Sequence, residues 1–246
     1  MSAPSPSVVI GCFRDRAGGA LVAGDVIVVV DVIRATTTAV TAVAQGRRCF
    51  TAPNVAAARR RATRLERPLL AGEFAGVVPA GFELDNSPAA IAARSDVERP
   101  LVLVSSSGTA LIHAAALSGT VYLGSLRNAR YLGLWLAGRH ARVAIVAAAS
   151  RGEFREEDRV CCAIVAGELL DAGYAPEDDA TAALVQRWRG ASPDAWLASK
   201  SVEFLRATGH IDDLEFILEH QDDLPDVFQM HHGEVLTVPA GIALPA

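Results

Sequence analysis

The chain has 246 residues, 51% of them hydrophobic and 21% charged, the make-up of a packed globular protein and not of a disordered or disulfide-held one. A formal net charge of -5 with no basic run interleaved with aromatics removes the electrostatic footprint of a nucleic-acid binder. No apolar run approaches the ~20 residues that span a bilayer, and MSAPSPSVV lacks a basic-then-apolar leader pattern, so a cytoplasmic protein without membrane contact is expected.

In chain order, residues 26–30 are a continuous β-branched run ended by a polar turn, which predicts a mid-sheet strand buried on both faces. From Thr36 onward Ala39, Val40, Val43 and Ala44 recur at helical spacing, and Gly46 follows as a C-terminal cap. Cys49 and Phe50 form a weak strand, Asn54 caps a helix over 55–65, and 69–71 is a short strand before Gly72. After the loop FAGVVPAGFELDN, Ser87 and Pro88 supply an N-cap and a first-turn proline for a short helix through Ile91.

Residues 101–104 predict another buried strand, which runs through SSSGT into a helix over 110–117. Residues 121–123 lead to Ser125, the expected cap of a helix over 128–137, and 143–147 repeat the strand pattern. SRGEFREED then opens a helix over 158–170, closed by Gly173. This alternation predicts an α/β fold with a mostly parallel sheet. Helical patterns over 180–188, 193–205 and 212–219 follow, and the strands 226–229 and 234–237 flank a hairpin turn at His231, His232 and Gly233. The chain is either one unit over 1–246 or two sub-lobes, 1–174 and 175–246.

Ligands of open α/β sheets bind beyond the carboxyl ends of the strands. Sorted by that rule, the strand ends carry Asp31, Arg34, Thr36 and Thr37; Glu73; the Ser105 to Thr109 hydroxyls; Ser125, Arg127 and Asn128; and Arg151, Glu153, Arg155, Glu157 and Asp158. RATTT and SSSGT place hydroxyls and free amides at helix N-termini, a setting for an anion, and Arg34 adds a bidentate fork. Carboxylates in such a crevice repel a phosphate unless a cation lies between, so Asp31, Glu73, Glu157 and Asp158 are candidate ligands for Mg2+. Lys200 is the only lysine, which excludes a Walker A loop. No zinc spacing is present among the six histidines, and the basic cluster Arg59, Arg60, Arg61 and Arg64 reads as a solvated helix face. Cys12, Cys49, Cys161 and Cys162 read as reduced, buried small residues.

DVIRATTTAVTA, AGE at 71–73, GFELDNSP at 81–88, SSSGT at 105–109, EED at 156–158 and Val238-Pro239 keep an order and spacing that resembles the 2-phosphosulfolactate phosphatase (ComB) family. The resemblance covers most of the chain. It implies a three-layer α/β/α architecture with C-terminal helices and a terminal hairpin. It also implies a magnesium-dependent acid phosphatase that hydrolyses 2-phospho-3-sulfolactate in coenzyme M biosynthesis. The family motifs fall on Asp31, Arg34, Thr36, Thr37, Glu73, Asn86, Ser87, Gly108, Thr109, Glu157 and Asp158, with departures at Ser107, Glu83 and Asp85.

On this reading Asp31, Arg34 and Glu73 are the catalytic candidates, Asp31 serving either as nucleophile or as metal ligand. Thr36, Thr37, Asn86, Ser87, Ser107, Gly108, Thr109 and Asn128 would bind substrate, and Arg127, Arg151 and Arg155 would meet its sulfonate or carboxylate. The alternatives are a phosphatase for another phospho-hydroxy acid or sugar phosphate, and a non-catalytic phosphometabolite-binding protein. The partner is a small anionic phosphorylated substrate, and a homodimer is the default assembly.

Overall fold

The computed structural model describes residues 5–13, 25–150 and 152–238. Its strands are β1 (Ser7–Cys12), β2 (Asp25–Val30), β3 (Cys49–Thr51), β4 (Leu69–Gly72), β5 (Leu101–Val104), β6 (Gly119–Gly124), β7 (Arg142–Ala147), β8 (Ala175–Pro176), β9 (Val227–His231) and β10 (Glu234–Val238). They form one sheet in the order β4-β5-β3-β10-β9-β6-β2-β7-β1-β8. The helices are α1 (Ala35–Ala44), α2 (Val55–Ala62), α3 (Pro88–Ala92), α4 (Gly108–Ala115), α5 (Ala129–Leu136), α6 (Glu156–Asp171), α7 (Asp179–Trp188), α8 (Lys200–Ala207) and α9 (Ile211–Glu219). Among the described residues no helix is long and apolar enough to cross a membrane.

The expected α/β class and mostly parallel sheet are what forms, and β2 explains the layering. Val26, Val28 and Val30 face one core with the apolar sides of α5 and α6, while Ile27 and Val29 face a second core with α1 and α4. Helices therefore cover both faces, as a continuous apolar strand requires. A smaller core of Phe50, Ala58, Val102 and Val104 seats α2 against β3 and β5.

The turn chemistry follows the sequence closely. Asn54 Oδ1 accepts from Ala57 N and Ser87 Oγ accepts from Ala90 N, each capping its helix. His232 and Gly233 both have positive φ, 49° and 88°, the pair of left-handed residues a two-residue hairpin needs. Ser125 behaves differently from expectation. Asn128 is itself the N-cap residue of α5, and its Oδ1 accepts from Ser125 N and Oγ, so asparagine closes the turn. The pattern expected as one helix over 193–205 splits into a short turn at Pro193–Ala195 and α8, capped by Ser199.

β1 goes beyond the elements expected from the sequence, and so does the placement of the hairpin. β9 and β10 lie mid-sheet, antiparallel to β6 and β3 respectively. Because β9 and β10 are also antiparallel to one another, the block β4-β5-β3 runs against the block containing β6, β2, β7 and β1. A strand twist of roughly 20–25° per step turns β5 by roughly 100° or more relative to β2, five positions away in the sheet. Carboxyl ends from both blocks can thereby meet at one crevice.

Candidate active site

That crevice is a cavity of ≈ 700 Å³. The end of β2 supplies Asp31, Ile33 and Arg34, the end of β4 supplies Glu73, and the end of β5 supplies Ser105, Ser106 and Ser107. Beyond β7 lie Ala148, Ala149 and Ser150, followed by Glu153, Arg155 and Asp158 around the start of α6. Asp85 and Asn86, with Lys200, Ser201, Phe204, Thr208 and His210 on and after α8, complete the wall.

Asp31 and Asp158 form the acidic centre. Asp31 is 8% exposed, and burial pushes its carboxyl from the ordinary 3.8 up to about 7. The charges of Glu73 and Glu157 push the same way, while the Ala35 backbone N–H and Arg34 oppose them. The Asp158 carboxyl is also raised well above its ordinary value, by burial first and then by the charges of Glu157 and Asp31, although its Oδ1 accepts from Val32 N at 2.8 Å. Glu157 lies behind this pair, outside the cavity lining. Burial raises its carboxyl despite the hydroxyls of Ser201 and Ser199, and its Oε2 has no hydrogen-bond partner. Raised, mutually repelling carboxyls beside a cavity mark a place where an ion or a proton is exchanged.

The serine loop is held by Glu73. Its Oε1 accepts from Ser106 N at 2.7 Å, and its Oε2 accepts from Ser106 Oγ and Gly76 N, each at 2.8 Å. Ser105 Oγ accepts from Thr109 N, and Thr109 Oγ1 accepts from Ser105 N. These bonds leave Ser107, with no side-chain capping bond at the head of α4, facing the cavity. The first backbone N–H groups of a helix lack intrahelical partners, which makes this end of α4 a setting for an oxyanion, although Thr109 N is already taken by Ser105 Oγ.

Arg34 is placed differently from expectation. Its two terminal nitrogens already meet carboxylates, Nη1 with Asp213 at 2.6 Å and Nη2 with Asp85 at 2.7 Å. These pairs more than offset the cost of burying the guanidinium, whose pKa is raised. Asp213, on α9, and the α8 residues Lys200, Ser201 and Phe204 carry no motif that marks them. The three α8 residues, with Thr208 and His210, line the cavity and were missed in the sequence, while Asp213 holds Arg34 from outside the lining.

The threonines of RATTT turn inward and build the loop itself. Thr36 Oγ1 accepts from Asp31 N and donates to Asp31 O, and Thr37 Oγ1 donates to Val32 O at 2.8 Å. Neither lines the cavity, and Thr109 is likewise spent on Ser105. Ser87 caps α3 and donates to Asp213 Oδ1 at 2.5 Å. Arg127 pairs with Asp223 and donates to Thr41 Oγ1, away from the cavity. Asn128 donates to Leu123 O while closing its own turn. Gly108 packs directly against Asp31, and Arg151 lies outside the described residues. Two residues of the cavity lining each have a buried side-chain atom without a partner, Asn86 Oδ1 and Arg155 Nε.

Residues 16–230 match the model of a family described as 2-phosphosulpholactate phosphatase. The chain belongs to the 2-phosphosulfolactate phosphatase family. A relative from Symbiobacterium thermophilum, named probable 2-phosphosulfolactate phosphatase, is 37% identical over 63% of this chain and 66% of its own length. One of the same name from Deinococcus radiodurans is 36% identical over 76% of each chain. A third, from Thermus thermophilus, is 37% identical over 65% of this chain and 68% of its own.

Within the family's motifs the three departures have separate consequences here. Ser107 opens on the cavity, Glu83 pairs with Arg99, and Asp85 holds Arg34. Among the described residues no group of three or more His, Cys, Asp and Glu side chains is arranged to hold a metal ion by itself. Magnesium does not require one, since it prefers one or two carboxylates with waters and substrate oxygens. Asp31 and Asp158, which line the cavity with raised carboxyls, are the two carboxylates that could serve in that way.

Proposed function

We propose that this chain is a magnesium-dependent phosphoric monoester hydrolase acting on a small acidic ester, 2-phospho-3-sulfolactate being the first substrate to test. With that substrate the step belongs to coenzyme M biosynthesis. The observation that carries the reading is the charge of the cavity. Five acids (Asp31, Glu73, Asp85, Glu153 and Asp158) face three fixed cations (Arg34, Arg155 and Lys200), so a phosphate dianion needs a cation or bound protons to enter. Family membership supplies the reaction class.

Asp31 and Asp158 would hold the ion. Magnesium bound there would polarise a phosphoryl oxygen and screen it from the carboxylates. Ser107 and the head of α4 orient phosphoryl oxygens, with Glu73 fixing the loop that carries them. Arg155 and Asn86, which line the cavity, would face the rest of the ester, Arg155 meeting an acidic oxygen and Asn86 a hydroxyl. In the hydrolysis the phosphorus–ester oxygen bond breaks, a water oxygen bonds to phosphorus, and the departing alkoxide takes a proton. Asp31 can also attack phosphorus directly, giving an acyl phosphate that water then opens; hydroxylamine trapping separates the two routes.

Since α8 and the turn after it wall the cavity, we take 1–174 and 175–246 as one functional unit. Cys49, Cys161 and Cys162 are buried thiols outside any disulfide, which supports the cytoplasm, and the acidic cavity gives no support to nucleic acid as a partner. A homodimer is the assembly to test. The deciding experiment measures phosphate release from a panel of phosphomonoesters with and without magnesium. Magnesium-dependent release, lost in Asp31→Asn, is expected; no release from any ester by the wild type would end the enzyme reading. Ligand-induced thermal stabilisation without turnover would instead mark a binding protein.

A further inference from the structure

The two carboxylates that hold Arg34 are not equivalent. Asp213 is 1% exposed and also takes Ser87 Oγ and, at 3.2 Å, Ala89 N. It is built into the junction of α3 and α9 and cannot leave without unpinning both. Asp85 stands on the cavity wall with its side chain 16% exposed. Its Oδ1 accepts from the neighbouring Asn86 N. Its Oδ2 lies 2.7 Å from Arg34 Nη2 and 2.9 Å from His210 Nε2.

One carboxylate oxygen set between a guanidinium and an imidazole is the arrangement a bound anion's oxygen would adopt. The buried Arg34 is held by Asp213, so the position it offers is fixed in space. We propose that Asp85 is an internal competitor for an anion seat formed by Arg34 and His210, and that it sets which acidic esters the cavity accepts. The proposal rests on the phosphatase reading for the identity of the ester. The seat itself is a matter of anion binding and can be tested without turnover.

The charge arithmetic gives the direction. Asp85 and Asp213 already occupy both terminal nitrogens of Arg34, so an incoming carboxylate or sulfonate must displace Asp85 to reach it. Asp85→Asn keeps the shape and removes the competing charge. Removing one charge in direct contact with the seat is expected to strengthen anion binding on the order of ten-fold, since close charges in a partly desolvated site interact strongly. Asp85→Gly empties the seat altogether and is expected to bind at least as tightly as Asp85→Asn.

The test pairs kinetics with calorimetry. For Asp85→Asn, the ratio of kcat/KM for 2-phosphosulfolactate to that for isopropyl phosphate, whose remainder is uncharged, should rise about ten-fold through KM. Equal movement of both esters, or a higher KM for the acidic one, overturns the proposal. Calorimetric titration with 3-sulfolactate covers the case in which no ester is hydrolysed, which defeats the phosphatase reading alone. About ten-fold tighter binding by Asp85→Asn than by the wild type supports the seat, and equal affinity overturns it. In the Asp85→Asn background, His210→Ala should return the affinity toward the wild-type value; no change there removes His210 from the seat. Matching melting temperatures identify the folded variants, and Asp85→Gly supplies the same comparison if Asp85→Asn does not fold.

Discussion

Gly108 and Asp31 approach so closely that no side chain fits between them: a β-carbon on Gly108 would stand 2.1 Å from Asp31 Oδ2 and 2.7 Å from Ala35 Cβ. The head of α4 is thus packed directly onto the acidic centre, and glycine is needed for space, not for φ. Gly108→Ala should push the Asp31 carboxylate aside. A displacement near 1 Å at a reacting group can cost about 100-fold in rate, while overpacking of this kind costs about 1–3 kcal/mol in stability. Steady-state kinetics with thermal melts check both numbers. Wild-type turnover in a folded Gly108→Ala protein would show that the Asp31 position does not matter to the chemistry.

The raised Asp31 carboxyl makes a prediction about stability in metal-free buffer. Its value is about 7 in the folded protein against an ordinary 3.8, so between those values the folded state binds a proton that the unfolded chain has released. That stabilisation is present below about pH 4 and is lost as pH rises through 7. Asp31→Asn removes the titration. At pH 8 it should be more stable than wild type by on the order of a few kcal/mol, with the gap closing toward pH 4. Urea denaturation across that range measures the gap; parallel curves for the two proteins would refute it.

How much of this was legible in the sequence depends on the range of the interaction. The caps at Asn54 and Ser87 and the strands β2 and β5 are local patterns, and the chain folds as they predict. The threonines of RATTT were legible as a cluster but not in role, because hydroxyls beside an irregular turn can bond either a ligand or the turn's own carbonyls. Thr36 and Thr37 do the latter. Nothing local marks Asp213, which lies 179 residues beyond Arg34, or the hairpin β9–β10 in mid-sheet. Long-range pairing of that kind is set by the packed fold and leaves amphipathic helices such as α8 looking merely structural.

Asp213 yields a stability prediction of its own. It is buried, pairs with a buried arginine and accepts from two further donors. Asp213→Ala leaves Arg34 with one partner and frees the Ser87 hydroxyl. Breaking a buried pair by removing one partner typically costs about 3–5 kcal/mol. A loss in that range, measured by urea denaturation at pH 7, is expected. A loss below 1 kcal/mol would mean that the Arg34–Asp213 pair behaves as a surface contact.

Glu73 gives the sharpest separation between two roles. As a metal ligand, its substitution should raise the magnesium concentration needed for half-maximal activity. The structure engages both of its oxygens with Ser106 N, Ser106 Oγ and Gly76 N, which makes it the clamp of the serine loop. Glu73→Gln puts an amide NH2 where one of those donors now points, so the loop should loosen. The expected result is a KM for the ester raised on the order of ten-fold, about 1.4 kcal/mol of lost binding, with the magnesium requirement unchanged. A magnesium titration of initial rates at saturating ester decides between them. A shift of the magnesium curve without a change in KM would return Glu73 to the metal.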